Sequence, residues 1–373
     1  MSADDWPAAD ELAEPDRGPE AILDGASFER LESARVLLDS SYAGAAVRRT
    51  AIAISAAAGF ARLSGPIRYF IVFAGDGAAD AAEAVSAIAT DRLNGPAVIT
   101  QHLDHATSWL GINDCLLILS NSGTDEASLA AAQLAQQRGT MLVVCTAKDS
   151  ALATSCTVDR NAIVLELEDS SALPFWEYLA VGHGLVAQLQ GVEGHSLAAL
   201  AEALDAITAQ NGPVVPAMHN LAKGLALDCL DSTPLAISDS LLSAAAAYRY
   251  GAAMLALQGI PVAHVQLPGG IARMRAALKG PYVRAAEDIF FDPFEDGASA
   301  GPSRPLRLVM LCESADETYR TILTREAADR GVGLTLINAT GADPTSRLAS
   351  LVQITDLATA YLLILSEARG STA

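Results

Sequence analysis

The densest chemistry in the chain lies in Ser120-Asn121-Ser122-Gly123-Thr124, where three hydroxyls, an amide and a glycine stand between an apolar run and a helical pattern. A loop of small residues at a helix start offers unpaired backbone N–H groups and the positive end of the helix dipole, so it suits a phosphate or another anion. The plainer alternative is that Ser122 or Thr124 simply caps the helix. A second loop of the same kind is Gly75-Asp76-Gly77-Ala78-Ala79. There Gly75 and Gly77 allow a tight turn and a close backbone approach, while Asp76 puts a negative charge where a phosphorylated ligand would want none. For proton transfer the nearest imidazoles are His264, on an apolar strand pattern, and His219, before Asn220; Glu177 and Arg347 are further candidates for a cleft. A lone histidine on an apolar strand has a plainer reading too, as a packed residue with one hydrogen bond.

The elements that must position these residues follow from periodicity. Residues 115–119 form a continuous apolar run of strand length, as in a parallel sheet covered on both faces. Leu129, Ala132, Leu134 and Ala135 recur at helical spacing, Arg138 and Gly139 mark the stop, and residues 141–144 form the next buried strand. This is a βαβ unit. Helices are predicted over 21–38 and 43–63, then strand 67–74 with a helix through Ala89, a short strand at 97–100, and a strand at 162–167. About five parallel strands result, and a helix over 174–189 precedes the end of the first domain near Ile207. The second half repeats the scheme with strands at 234–237, 260–265, 306–312 and 333–337 and helices at 241–257 and 318–330.

Composition bounds the function. The chain has 373 residues and a net charge of −20, with 51% hydrophobic and 5% aromatic residues, so its core must be built from Ala, Leu, Val and Ile. Such acidity argues against a nucleic-acid partner or an anionic membrane surface. It leaves room for an anionic small molecule, which needs only a local positive potential. No run of about 18 strongly apolar residues stands out as a bilayer span, and no basic-then-apolar signal opens the chain. Cys115, Cys145, Cys156, Cys229 and Cys312 show no C-x-x-C spacing and read as buried thiols in a reducing, cytoplasmic compartment. Neither a metal nor a cofactor is expected, because His-rich and carboxylate clusters with ligand spacing are missing from the sequence. Residues 1–20 read as a mobile acidic arm and 292–305 as a mobile loop.

The motif SNSGTDEAS, with Ser120, Ser122 and Gly123, resembles the phosphosugar-binding loop of sugar isomerase (SIS) domains. Its distance from the Gly75–Gly77 turn and the segment Ser150-Ala151-Leu152-Ala153 fit the same domain. Asn220, Ala222, Lys223 and Ala226 resemble the segment that joins the two SIS domains of bifunctional phosphoglucose/phosphomannose isomerases, with Leu221 in place of a proline. Asp356, Thr359, Tyr361 and Leu362 resemble the terminal helix of the same enzymes. The resemblance implies an α/β protein of two SIS-type (flavodoxin-like) domains, 21–207 and 208–373, each a parallel sheet flanked by helices. It also implies a homodimer. The ligand would be a sugar phosphate held by Gly75, Gly77, Ser120, Ser122, Gly123, Thr124 and Lys223.

The family's catalytic groups are not where the resemblance would put them. Phe175 follows Pro174 where an arginine is expected, residues 254–258 hold no carboxylate, and Leu267-Pro268-Gly269-Gly270-Ile271 replaces a histidine-bearing segment. Aldose–ketose interconversion needs a base to move a proton between C1 and C2 and a positive group to stabilise the enediolate. Two readings therefore stand: an isomerase of glucose, mannose or fructose 6-phosphate with displaced catalytic groups, or a sugar-phosphate-binding sensor or partner subunit that no longer moves protons; Asp76 and Ala78 also allow a third, a ligand-free structural homodimer.

Overall fold

In the computed structural model the described residues are 18–25, 31–57, 59–60, 63, 66–93, 96–102, 109–159, 161–167, 174–191, 196–283, 304–313 and 317–371. The expected acidic arm lies outside them as far as residue 17, and the expected loop at 292–305 as far as residue 303. Three helices come first, α1 (Pro19–Asp24), α2 (Ala34–Ser41) and α3 (Ala43–Ala56). The single helix expected over 21–38 is thus divided, with residues 26–30 outside the described set.

The first sheet is built from β1 (Tyr69–Ala74), β2 (Ala97–His102), β3 (Cys115–Ser120), β4 (Met141–Ala147) and β5 (Ala162–Leu167) in the order β2-β1-β3-β4-β5, all parallel. Between and after these strands run α4 (Ala79–Arg92), α5 (Glu126–Arg138), α6 (Ala151–Thr157) and α7 (Phe175–Gln190). Helices α8 (Leu197–Gln210) and α9 (Leu221–Cys229) lead to the second sheet. That sheet contains β6 (Thr233–Ser238), β7 (Ala263–Gln266), β8 (Leu306–Cys312) and β9 (Gly333–Asn338) in the parallel order β7-β6-β8-β9. Its helices are α10 (Leu241–Gln258), α11 (Ile271–Ala277) and α12 (Glu317–Ala328), and α13 (Pro344–Ser371) follows β9. The chain is a two-sheet α/β protein of the expected class.

Strand residues alternate between faces, and the burial follows that period. Val72, Leu117 and Val143 belong to a core that continues through Ala236, Val309 and Ile337 of the second sheet. Their neighbours Ile71, Leu116 and Val144 pack outward beneath α5 and α6, and Leu235, Leu308 and Met310 do the same beneath α11 and α12. One core therefore joins the inner faces of both sheets, filled by α4, α7, α10 and α13. The alanine-rich composition serves this close packing: a Cβ on Gly182 of α7 would fall on Val85 of α4.

The sequence reading needs one correction here. By length and composition α13 could cross a membrane, yet 94% of its apolar stretch is buried inside the protein. Its apolar character on all sides is that of a central core helix, packed against α10, α9, α8 and α2. The five cysteine thiols are buried, and burial pushes the Cys115 thiol up to about 12, where it stays protonated and inert.

Candidate functional site

Parallel pairing of β1 with β3 sets Ala74 beside Leu119, so the loops that leave these strands, 75–78 and 121–125, emerge side by side. This is the point where strand order reverses, the usual crevice for ligands in an open α/β sheet. The backbone seals the two loops together, since Gly75 N–H donates to the Leu119 carbonyl at 2.7 Å and Asn121 N–H to the Asp76 carbonyl at 3.0 Å. Glycine is required at three positions. A Cβ on Gly75 would strike Ser120 and the Leu119 carbonyl, while Gly77 and Gly123 have φ of 64° and 61°. Tyr178 of α7 fixes the loop from below, donating its hydroxyl to Asn121 Oδ1 at 2.8 Å.

Several hydroxyls and amides of the loop converge on a residue of the chain itself. Ser122 N–H donates to the two carboxylate oxygens of Asp76 at 3.2 and 3.1 Å. Ser120 Oγ lies 2.6 Å from Asp76 Oδ1 and 2.7 Å from Asp125 Oδ2, and it accepts from Gly123 N–H at 3.0 Å. With one proton, this hydroxyl donates to one carboxylate at a time. Thr124 N–H donates to Ser122 Oγ, whose partner at 2.8 Å is Thr124 Oγ1. The cap of α5 is neither Ser122 nor Thr124 but Asp125, whose side chain accepts from Ser128 N–H at 2.8 Å. Burial would raise the Asp125 carboxyl, but hydrogen bonds from the Ser120 hydroxyl and the Ser128 amide outweigh it and hold the group below its ordinary value.

Lys223 stands apart from this cradle. Its side chain is fully buried, with Nζ bonded to Asp24 Oδ1 at 2.9 Å and the Pro213 carbonyl at 2.8 Å, and it lies over the Tyr361 ring. The expected ligand lysine is therefore a buried strut that ties α9 to α1.

Each of the four candidates for proton transfer has its own surroundings. Glu177, 3% exposed, forms an ion pair with Arg49 at 3.0 Å. Arg347 pairs with Glu313 at 2.6 Å near the start of α13. His219 is exposed at the end of a short 3-10 turn, Ala217–His219. On β7, His264 is exposed along part of its surface while its Nε2 lies 2.8 Å from Ser238 Oγ, and partial burial of the ring lowers its pKa from the ordinary value. Proton transfer on one substrate needs a base and an electrophile within reach of the same atoms. No two of these four share a hydrogen bond or an ion pair among the described residues.

A group of residues that sequence reasoning did not single out lies between the domains. Glu83, Ser86, Ala87 and Thr90 of α4 and Leu241, Ala244, Ala245 and Tyr248 of α10 line a cavity of about 260 Å³ with residues of the edge strands β2 and β7. The signal was present: both sets fall at i, i+3, i+4 and i+7, one stripe on each helix.

Residues 218–368 match the family of the bacterial phospho-glucose isomerase C-terminal SIS domain. No curated protein matches the chain in sequence. Among solved structures, a candidate phosphosugar isomerase from Silicibacter pomeroyi aligns over 90% of this chain and 98% of its own, with 17% identity and a TM-score of 0.61. A glucose-6-phosphate isomerase-like protein from Thermus thermophilus aligns over 92% and 93%, with 18% identity and a TM-score of 0.52. The C-terminal domain of glucosamine-fructose-6-phosphate aminotransferase from Francisella tularensis aligns over 89% and 96%, with 12% identity and a TM-score of 0.55. At these identities the structural likeness carries the fold, which is that of two SIS-type domains.

Proposed function

We propose that this double-SIS protein, whose residues 218–368 form a phospho-glucose isomerase-type C-terminal SIS domain, binds a phosphorylated sugar at the loops after β1 and β3 without isomerising it. The observation that carries this reading is the seat of Asp76. Its carboxylate presents two anionic oxygens to Ser122 N–H and Ser120 Oγ, the same kind of oxygens that a phosphoryl group would present. The donors of the loop are thus aimed at an oxyanion. A ligand phosphate would take them over by displacing the exposed Asp76 side chain from these bonds.

The absence of isomerisation is argued from the engagement of Glu177, Arg347 and His264 with other side chains and from the exposed place of His219 on a 3-10 turn. The homodimer implied by the resemblance and the cytoplasmic residence read from the cysteines belong to the same proposal. Exposed Ile52 on the alanine-rich α3, 72% accessible, is a contact such a dimer would cover. Sedimentation of the purified chain as a monomer would remove the dimer from it.

The test is proton NMR of fructose 6-phosphate with the purified chain in D2O. Saturation transfer to the sugar phosphate, with no deuterium appearing at C2 of an aldose phosphate, is the expected result. Deuterated glucose or mannose 6-phosphate would restore the isomerase reading. A spectrum without saturation transfer would remove the phosphosugar site.

A further inference from the structure

The cavity between the domains is chemically unlike the loop cradle. Its walls are one face of α4 and one face of α10, and Val98 and Thr100 of β2 and His264 and Gln266 of β7 complete it. Each sheet thus contributes its edge strand. Its polar lining consists of the Glu83 carboxylate, the hydroxyls of Ser86, Thr90 and Thr100, the Tyr248 phenol, the Gln266 amide and the His264 ring. No lysine or arginine is among the lining residues, so it has nothing to neutralise a phosphate.

Two independent observations mark it as a place for a ligand. The first is its size, about 260 Å³, just below the roughly 300–1,000 Å³ found for drug-sized ligands and so limited to a small molecule. The second is Ser86: the residue is 6% exposed, and its Oγ is buried with no hydrogen-bond partner among the described residues. A buried hydroxyl without a partner costs free energy, and rotation of Ser86 about χ1 toward an acceptor or donor on a ligand would satisfy it. Apolar surface from Leu241, Ala244, Ala245 and Val98 alternates with these polar groups, so the walls match a molecule with hydroxyls on a carbon frame.

We propose that this cavity binds an uncharged polyhydroxyl compound of monosaccharide size, gripped between α4 and α10 and separate from the phosphate cradle. Glu83 and Gln266 accept hydroxyl protons, Thr90, Thr100 and Tyr248 donate or accept, and Ser86 gains its missing partner. Because both domains supply walls, the bound compound bridges them.

The experiment is saturation-transfer NMR of the full chain with glucose, mannose and sorbitol, none of them phosphorylated. Transfer to at least one is expected in the wild type and in a Ser122→Ala, Thr124→Ala double variant, which separates this site from the loop. Ser86→Ala removes one hydroxyl and is expected to weaken binding about tenfold. Ala244→Leu, which fills the cavity, is expected to abolish it; circular dichroism reports whether that variant folds, and Ser86→Ala keeps the test decisive if it does not. No transfer to any of the three in the wild type would overturn the proposal, as would unchanged affinity in both cavity variants. Binding of glucosamine with rejection of all three would overturn the uncharged class.

Discussion

Asp76 decides how the cradle behaves. A carboxylate held by Ser122 N–H and Ser120 Oγ competes with any ligand phosphate for those donors and repels it by charge. Asp76→Ser keeps a small polar side chain and removes both effects. Fructose 6-phosphate should then bind about tenfold more tightly, a gain of about 1.4 kcal/mol, as calorimetry would show. Weaker binding in that variant would mean that Asp76 receives sugar hydroxyls instead of blocking phosphate. The Ser-x-Ser-Gly loop was legible in the sequence because its donors are contiguous, and the charge at Asp76 was legible too. What that charge touches was not, since it bonds to residues 44 and 46 positions away through the β1–β3 pairing. Lys223 shows the same limit: its partner Asp24 lies 199 positions back, so burial of the ammonium left no local signature.

At the scale of elements, the strands were the most legible part because buried parallel strands are continuous apolar runs, and β5 and β8 fall where the pattern placed them. The helices α6 and α11, seven residues each, are too short to show a helical period and were missed. Helix α13 escaped as a candidate span because its apolar residues are interrupted by Ser, Thr and Gln, which pack inside the protein. Helix α5 offers a test through its cap. Asp125 accepts from Ser128 N–H, and its carboxyl titrates below its unfolded value. Its stabilising contribution is therefore complete at neutral pH, above the unfolded pKa of about 4, and is lost as pH falls through the lower folded pKa. Asp125→Ala should cost about 1 kcal/mol at pH 7, and urea titrations at successively lower pH should bring the two proteins together. A gap that stays constant into acid would assign the loss to helix propensity or packing rather than to the charged cap.

In the whole molecule the two SIS-type halves are joined by a buried ion triad as well as by the shared core. Arg249 of α10, 5% exposed, bonds to Asp80 of α4 at 2.6 Å and to Asp356 of α13 at 2.9 Å, with its guanidinium over the Phe175 ring. Burial would lower the arginine, but Asp356 and Asp80 outweigh it; burial holds Asp356 above the usual carboxylate range against the pull of Arg249. Two buried carboxylates share one cation, so removing that cation leaves two charges without compensation. Arg249→Ala should destabilise the chain by about 3–5 kcal/mol, whereas replacing all three residues by apolar ones of similar volume should cost far less, because the desolvation of the ions disappears with them. Urea unfolding followed by tryptophan fluorescence, from Trp6, Trp109 and Trp176 of the first half, and by far-UV circular dichroism reads both effects. In the wild type the two signals should fall together, because one core spans both sheets. In Arg249→Ala they should separate if the triad is what couples the halves, since Trp176 sits in α7 against the first sheet. A loss below about 1 kcal/mol with coincident transitions would place the coupling in the apolar contacts of α10 and α13 instead.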